Sequence, residues 1–176
     1  MYEDPYGNVA VRDELERLIN KEDEMGLVNL KFPDILMLLE DLSIWIGDTA
    51  ATMHKTPHAT GMVANNGDKL RGQSIMVGNG KREATSMHGS IKGQMTDKKG
   101  MKLGRATLTE VSYSPSMKFN LCSLSRLMKN GWKISGDEKG IKMTKNWKDL
   151  IFDIVVRTAT GIVYCLYLKH MTNKLA

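Results

Sequence analysis

The sequence has 176 residues, of which 41% are hydrophobic and 26% charged, and its formal net charge is +5. This length fits one domain, or one small domain with appendages, and the apolar fraction is sufficient for a buried core. No run of about 18 apolar residues is present, so we expect no membrane span. The first residues lack the pattern of a secretory leader, so we expect a cytoplasmic protein.

Few residues are available for disulfide or metal chemistry. The chain has 2 cysteines and 4 histidines, too few for a disulfide-stapled scaffold or a multi-site metalloprotein. Cys122 and Cys165 lie in apolar stretches and are expected to be small buried hydrophobes. His54 and His58 have a helical metal-ligand spacing, but Pro57 between them disfavours a helix. We therefore predict neither a metal nor a cofactor.

The charge is unevenly distributed along the chain. Residues 1–50 carry 4 basic and 12 acidic side chains, whereas residues 51–176 carry 21 basic and 8 acidic ones. Such a division suggests an acidic arm and a basic body. A basic body can attract nucleic acid through counterion release. Because at most two basic residues are adjacent, charge supports this partner only weakly.

Residues 1–41 are predicted to form an acidic helical arm. Apolar residues recur there on one helical stripe, and they are Val11, Leu15, Leu18 and Ile19. Gly26 can end this helix, and a second short helix is predicted over 34–40, where Pro33 suits a first turn. We expect the arm to pack on the body or on a neighbouring molecule.

Residues 42–170 are predicted to form an all-β body, followed by a tail of residues 171–176. Short apolar stretches alternate with glycine-rich turns, which is typical of a barrel or a sandwich. The predicted strands are 43–46, 74–77, 85–88, 108–113, 132–135, 141–144, 151–156 and 162–168. One short helix is predicted from Leu121, Leu124, Leu127 and Met128, with Gly131 as its stop.

Asp48 follows the apolar strand 43–46 at the point where the chain leaves the core. Burying an ionised carboxylate beside apolar neighbours is costly, so its position needs a reason. Two ordinary roles are available: Asp48 can cap a turn through the amide of Ala50 or Ala51, or it can lie in an exposed loop.

Three segments resemble copia-type long-terminal-repeat retrotransposons. Residues 45–54, Trp-Ile-Gly-Asp-Thr-Ala-Ala-Thr-Met-His, resemble the aspartic-protease signature of that family, in which a Trp-led strand runs into Asp, Ser or Thr, Gly and Ala, with a His six positions after the Asp. Residues 108–127 resemble its valine-tyrosine-proline strand and the Asn-Leu-Leu-Ser hook before a helix, here Asn120, Leu121 and Ser123. Residues 75–80 are similar to its Gly-Asp/Asn-Gly turn. The resemblance covers about residues 42–168 and leaves the arm unmatched.

The resemblance implies a closed retropepsin-like β-barrel that supplies one catalytic aspartate, Asp48, with the hydroxyl of Thr49 bracing the loop. Carboxylate-driven peptide hydrolysis needs a group that deprotonates water and another that protonates the carbonyl oxygen. No second Asp-Ser/Thr-Gly is present in the sequence, so we expect a homodimer that pairs two copies of Asp48. The implied substrate is polypeptide, the protein's own Gag-Pol polyprotein. The implied location is the cytoplasm, or a virus-like particle if the element is active.

The same resemblance places the substrate cleft. Ala50 and Ala51 would line its floor, and Gly78, Asn79 and Gly80 would form the tip of the flap. A plain type I′ hairpin turn is an equal interpretation of that tip, and residues 89–93 are a rival flap.

Ala50 replaces the glycine of the family motif, which leaves three functions open. The first is an active aspartic endopeptidase, and the second is a catalytically silent barrel that survives as a remnant or a domesticated interaction module. The third is an RNA-associated scaffold that uses the basic body.

Overall fold

The computed structural model describes residues 37–64, 74–76, 82–84, 88–157 and 161–171. This part of the chain is mostly β, with one short helix following the eighth strand. The strands are β1 Ile44–Asp48, β2 His54–Thr56, β3 Met62–Ala64, β4 Ser74–Met76, β5 Arg82–Ala84, β6 His88–Thr96, β7 Lys102–Tyr113, β8 Asn120–Ser123, β9 Lys133–Asp137, β10 Gly140–Lys145, β11 Lys148–Phe152, β12 Ile154–Arg157 and β13 Ile162–His170. The helix α1 is Leu124–Lys129.

Six strands close into a barrel, as predicted for an all-β fold. The main sheet has the order β12-β13-β1-β8-β2-β7-β6-β3, and β13 also pairs with β6. This last pairing, with Tyr167 opposite Thr96, closes the ring β13-β1-β8-β2-β7-β6. Closure leaves no free edge on these six strands, which removes the risk of edge-to-edge aggregation.

The strand β1 runs through the middle of the core. It pairs with β13 on one side and, in parallel, with β8 on the other. Ile44 and Ile46 pack in one apolar cluster, while Trp45 packs in a second cluster on the opposite face. Because alternate side chains point to opposite faces of a strand, burial of all three shows that β1 is covered on both sides.

A three-stranded sheet, β11-β10-β9, packs against the barrel. One of its faces contributes Met143, Leu150 and Phe152 to the apolar cluster that holds Trp45. The strands β4 and β5 form a separate antiparallel pair. Residues 77–81, which connect them and include Gly78, Asn79 and Gly80, lie outside the described residues.

Several predicted elements are confirmed with shifted ends, and three predictions are corrected. The predicted strand 151–156 is two strands, β11 and β12, which are interrupted at Asp153. Leu121 belongs to β8, because its backbone pairs with Ile46, and the helix begins three residues later. Residues 89–93 lie inside β6, paired with β3 and β7, and so they form no hairpin tip.

Most of the predicted arm lies outside the described residues. Residues 37–39 are helical, in agreement with the end of the helix predicted over 34–40. Leu39 is fully buried and packs with Ile44 and Ile46. The last residues of the arm are therefore part of the barrel core. Within the described part of the chain, no helix is long and apolar enough to cross a bilayer.

Candidate functional site

Asp48 is the last residue of β1, and its side chain is only 9% exposed. Its Oδ1 accepts a hydrogen bond from the backbone amide of Ala50 at 2.8 Å, which is the turn-capping role considered above. Its Oδ2 is buried and has no hydrogen-bond partner within the described residues. A buried carboxylate oxygen without a partner is unfavourable.

The residues after Asp48 leave the core and then return to it. Thr49 and Ala50 are exposed, whereas Ala51 is buried and packs with the apolar cluster of Ile44. Ala50 is not among the residues with a positive φ, so alanine carries no left-handed strain at the position where the family motif has glycine. The methyl group of Ala51 faces the core rather than an open cleft floor, because it belongs to that cluster.

The hook residue Ser123 ties this loop to the helix. It lies opposite Asp48 in the parallel pairing of β1 and β8. Its hydroxyl donates to the carbonyl of Ala51 and accepts from the amide of Arg126, which makes it the N-cap of α1. Ser125 also donates to the carbonyl of Ala51, at 2.8 Å. Two hydroxyls on one carbonyl thus fix the chain just after Asp48.

The hook residue Asn120 joins three segments of the barrel. Its Oδ1 accepts from the hydroxyl of Thr56 at 2.6 Å, and its Nδ2 donates to the carbonyls of Leu42 and Ile44 at 3.0 and 2.9 Å. Asn120 is itself buried. Leu121 and Cys122, which lie between these two polar hook residues, pack in the two apolar clusters of the core. The hook residues are therefore internal and act on the site through the backbone they hold.

His54 lies beside this loop, as the resemblance implies. The backbone amide of Ser123 donates to its Nδ1 at 2.9 Å. Burial, and then the charge of Arg126, lower the pKa of His54 to about 4, because both disfavour the protonated ring. The imidazole is therefore neutral near pH 7, with its proton on Nε2. The family signature ends at this histidine, but no local pattern in the sequence indicates its bond to the hook.

The remaining candidate groups are inert or scattered. Cys122 and Cys165 are both fully buried, and burial raises the pKa of the Cys122 thiol and raises that of Cys165 to about 12. Neither is suited to act as a nucleophile, since the thiolate is the reactive form. Within the described residues, no three His, Cys, Asp or Glu side chains converge on a point that could hold a metal ion.

Taken together, the described residues form a closed β-barrel in which a buried aspartate ends a central strand and a hook braces the loop that follows. The model of the family described as Pol polyprotein, beta-barrel domain, matches residues 45–132, which is half of the chain. The chain therefore belongs to the Pol polyprotein beta-barrel domain family, and it corresponds to a region of a retrotransposon Pol polyprotein. The match spans β1 to the end of α1 and so includes both Asp48 and the hook. No curated protein and no solved structure gives a match.

Proposed function

We propose that this chain is the aspartic-protease region of a copia-type retrotransposon Pol polyprotein, with a retropepsin-like barrel and Asp48 as its catalytic residue. The observation that carries the proposal is the position of the Asp48 carboxylate. It is buried at the end of a core strand, its Oδ2 has no hydrogen-bond partner within the described residues, and the two residues that follow it are exposed. The resemblance of residues 45–54 to the protease signature supports the same role.

The chemistry requires two carboxyl groups at short range. One deprotonates the attacking water while the other protonates the carbonyl oxygen of the scissile peptide. Two carboxylates that lie close together cannot both ionise easily, so they share a proton and titrate as a pair. A chain with one Asp-Thr motif must obtain its second carboxyl group from a second chain.

A homodimer therefore completes the proposed site. In a two-fold symmetric arrangement the same surface of each subunit meets its copy. Asp48 would lie at the axis, with the exposed Thr49 and Ala50 beside it, and the hydroxyl of Thr49 would brace the paired loops.

The proposed substrate is an extended segment of the protein's own polyprotein. Such a peptide would bind as an added strand, with backbone hydrogen bonds for affinity and alternate side-chain pockets for selectivity. The segment with Gly78, Asn79 and Gly80, which in the sequence lies between the antiparallel strands β4 and β5, would supply the flap that closes over it. Ala50 would line the floor of the cleft.

A catalytically silent barrel is the second candidate, and Ala50 favours it. The family motif has glycine here, where the absence of a Cβ allows close approach of backbone to the paired carboxyl groups. Since Ala50 has no positive φ, the relevant effect is the bulk of its methyl group. A displacement of the two aspartates by about 1 Å could cost about 10²-fold in rate.

The deciding experiment incubates the purified full chain with a peptide library and compares it with Asp48→Asn. Cleavage that is inhibited by pepstatin and lost in Asp48→Asn supports the protease. The matched control is Glu138→Gln, because Glu138 is an exposed carboxylate that pairs with Arg157 and is distant from Asp48 in the sequence. This variant should cleave like the parent.

Sedimentation of the same samples tests the dimer. A folded dimer that cleaves no peptide would assign the chain to the silent module. A protein that stays monomeric at high concentration would contradict the shared site, and cleavage that persists in Asp48→Asn would contradict the role of Asp48.

A further inference from the structure

The turn between β10 and β11 presents a tryptophan to solvent in a backbone conformation that tryptophan disfavours. Asn146 and Trp147 have φ values of 49° and 63°. Asparagine tolerates this left-handed region and glycine prefers it, whereas a bulky side chain there is strained. The side chain of Trp147 is nevertheless fully exposed, at 102%. A glycine would satisfy the turn better, so tryptophan at this position costs both local strain and exposed apolar area.

Lysines surround this turn. Lys145 and Lys148 flank it and face each other across the hairpin. Lys133 lies opposite Thr144 on the neighbouring strand. Lys129 is in the last turn of α1, and Nζ of Lys145 donates to the carbonyl of Asn130 at the end of that helix. We call Lys129, Lys133, Lys145, Trp147 and Lys148 the lysine–tryptophan end.

Acidic side chains are concentrated away from this end. The turn between β9 and β10 carries Asp137 and Glu138, and the register places that turn at the opposite end of the three-stranded sheet. Asp149, which is nearer, lies 3.8 Å from Lys142 and accepts a hydrogen bond from Thr144. Its charge is therefore directed at Lys142 rather than at the turn. The sheet is polarised, with its positive potential at the tip that holds Trp147.

A pocket of about 330 Å³ opens beside the lysine–tryptophan end. Its walls combine hydrogen-bonding and aromatic groups with Lys145 and Lys148, and they include Thr107, Thr109, Asn130 and Trp132. No acidic side chain is among its lining residues in the part of the chain that the structure describes. Its lining also includes His54, Leu108 and Leu127, so the walls are partly polar and partly apolar.

We propose that the lysine–tryptophan end binds single-stranded nucleic acid, with the Trp147 indole stacking on a base and the flanking lysines contacting phosphates. Single strands are bound in this way, by aromatic platforms beside basic grooves, because every base has a face on which an indole can stack. The pocket has the donors and acceptors to receive an adjacent nucleotide. The charges, the indole and the hydrogen-bonding walls fit this partner better than a bilayer surface, since one indole is accompanied by lysine, threonine and asparagine rather than by a contiguous apolar patch. The lysine–tryptophan end shares no residue with the Asp48 loop, although His54 also lines the pocket beside it, and the proposal does not require proteolysis.

The test measures the fluorescence anisotropy of a fluorescein-labelled 15-nucleotide single-stranded DNA titrated with the full chain at 50 mM salt. Trp147→Gly is the main variant, because glycine suits the φ of this position and keeps the hairpin folded. We expect it to weaken binding about tenfold, the loss of one stacked base. Trp147→Phe, which keeps an aromatic ring, should bind with most of the affinity of the parent.

The lysine contacts are tested by salt dependence. Lys148→Gln should lower the slope of log affinity against log salt by about 0.7, the value for one phosphate contact on a single strand. Lys118→Gln is the matched control, since Lys118 is exposed but lies in the segment before β8, and it should leave the slope unchanged. The duplex form of the same oligonucleotide should bind more weakly and should not respond to Trp147→Gly.

Three results would overturn the proposal: no anisotropy change at 100 µM protein, equal affinity of the parent and Trp147→Gly, or equal slope losses in Lys148→Gln and Lys118→Gln. A titration with vesicles containing anionic lipid tests the alternative partner, a membrane surface. Binding to vesicles that is tighter than binding to the oligonucleotide, and that depends on Trp147, would assign this end to a membrane surface instead.

Discussion

The backbone amide of Ser123 and Nδ1 of His54 are joined by a buried hydrogen bond of 2.9 Å. The two residues are 69 positions apart in the chain, and the bond fastens β2 to the junction of β8 and α1. Because Ser123 lies opposite Asp48 in the sheet, the neutral imidazole supports the strand end that carries the candidate catalytic carboxylate.

This arrangement predicts that stability falls on acidification. Burial, and then the charge of Arg126, lower the pKa of His54 to about 4 in the folded state, while an unfolded histidine titrates near 6.5. Between these pH values the unfolded chain binds more protons than the folded one. The contribution of His54 to the free energy of unfolding is therefore complete above about pH 6.5 and is lost as the pH falls to about 4. The full difference corresponds to about 3 kcal/mol. Urea unfolding at a series of pH values from 7.5 to 4.5 measures it.

The matched variants are His54→Asn and His58→Asn. Asparagine can accept the bond from Ser123 but does not titrate, so His54→Asn should show a flatter dependence on pH. His58→Asn should retain the dependence of the parent. A parent and a His54→Asn variant that lose equal stability between pH 7.5 and 4.5 would contradict this account.

We predict that Asn120→Ala destabilises the barrel by about 3 kcal/mol. The substitution removes three hydrogen bonds and leaves the buried hydroxyl of Thr56 and the carbonyls of Leu42 and Ile44 to find other partners. Chemical denaturation monitored by tryptophan fluorescence gives the free energy of unfolding. Thr56→Ser, which keeps the hydroxyl, is the control and should change stability much less than Thr56→Val. Similar values for Thr56→Ser and Thr56→Val would show that this hydroxyl contributes little.

We predict that Ala50→Gly raises the rate of peptide cleavage without stabilising the fold. Ala50 is exposed and has no positive φ, so glycine relieves no strain and should reduce stability by up to about 1 kcal/mol through backbone entropy. Any gain in rate would come from removal of the methyl group beside the paired carboxyl groups. Initial rates on peptides from the polyprotein, measured together with unfolding curves, separate the two effects. If the Ala50→Gly variant cleaves no faster than the parent, the methyl group of Ala50 does not limit the rate of cleavage.

We predict that Gly136→Ala disrupts the hairpin of β9 and β10. Gly136 has a φ of 146°, and a Cβ there would lie 2.3 Å from the carbonyl oxygen of Gly140 and 2.7 Å from Cα of Ile141. Neither backbone atom can move without breaking the strand pairing, so we expect a loss of at least about 2 kcal/mol. Gly161→Ala is the control, because a Cβ at Gly161 meets nothing within 4 Å, and its effect should stay within about 0.5 kcal/mol. Equal unfolding midpoints for the two variants would refute the steric argument.

Local patterns in the sequence were sufficient for much of the barrel. The apolar run before Asp48 predicted β1, because a strand buried on both faces needs consecutive hydrophobic residues. The glycine-rich turn 136–140 separated β9 from β10 at nearly the observed positions. The hook before the helix came from the resemblance to the family motif, and its structural role follows from the capping chemistry of Ser123.

Other features depend on residues that are distant in the chain. The strand β2 is His-Lys-Thr and entirely buried, yet no local apolar pattern indicates it. Its His54 ring and Thr56 hydroxyl are satisfied by the distant residues Ser123 and Asn120. Residues 89–93 were predicted as a rival flap because glycine usually marks a turn. In the fold Gly93 lies in a strand, and a Cβ there would lie 2.7 Å from side-chain and backbone atoms of β13.

Closure of the barrel is likewise a property of the whole chain. The sequence is enough to establish short strands, their turns, the helix cap and a single Asp-Thr motif, because each depends on the preferences of neighbouring residues. The pairing of β13 with β6 and the burial of Asp48 beside Ser123 depend on the register of strands more than 70 residues apart. That register is set by packing of the two apolar clusters, and packing is a property of three-dimensional contacts rather than of any local pattern.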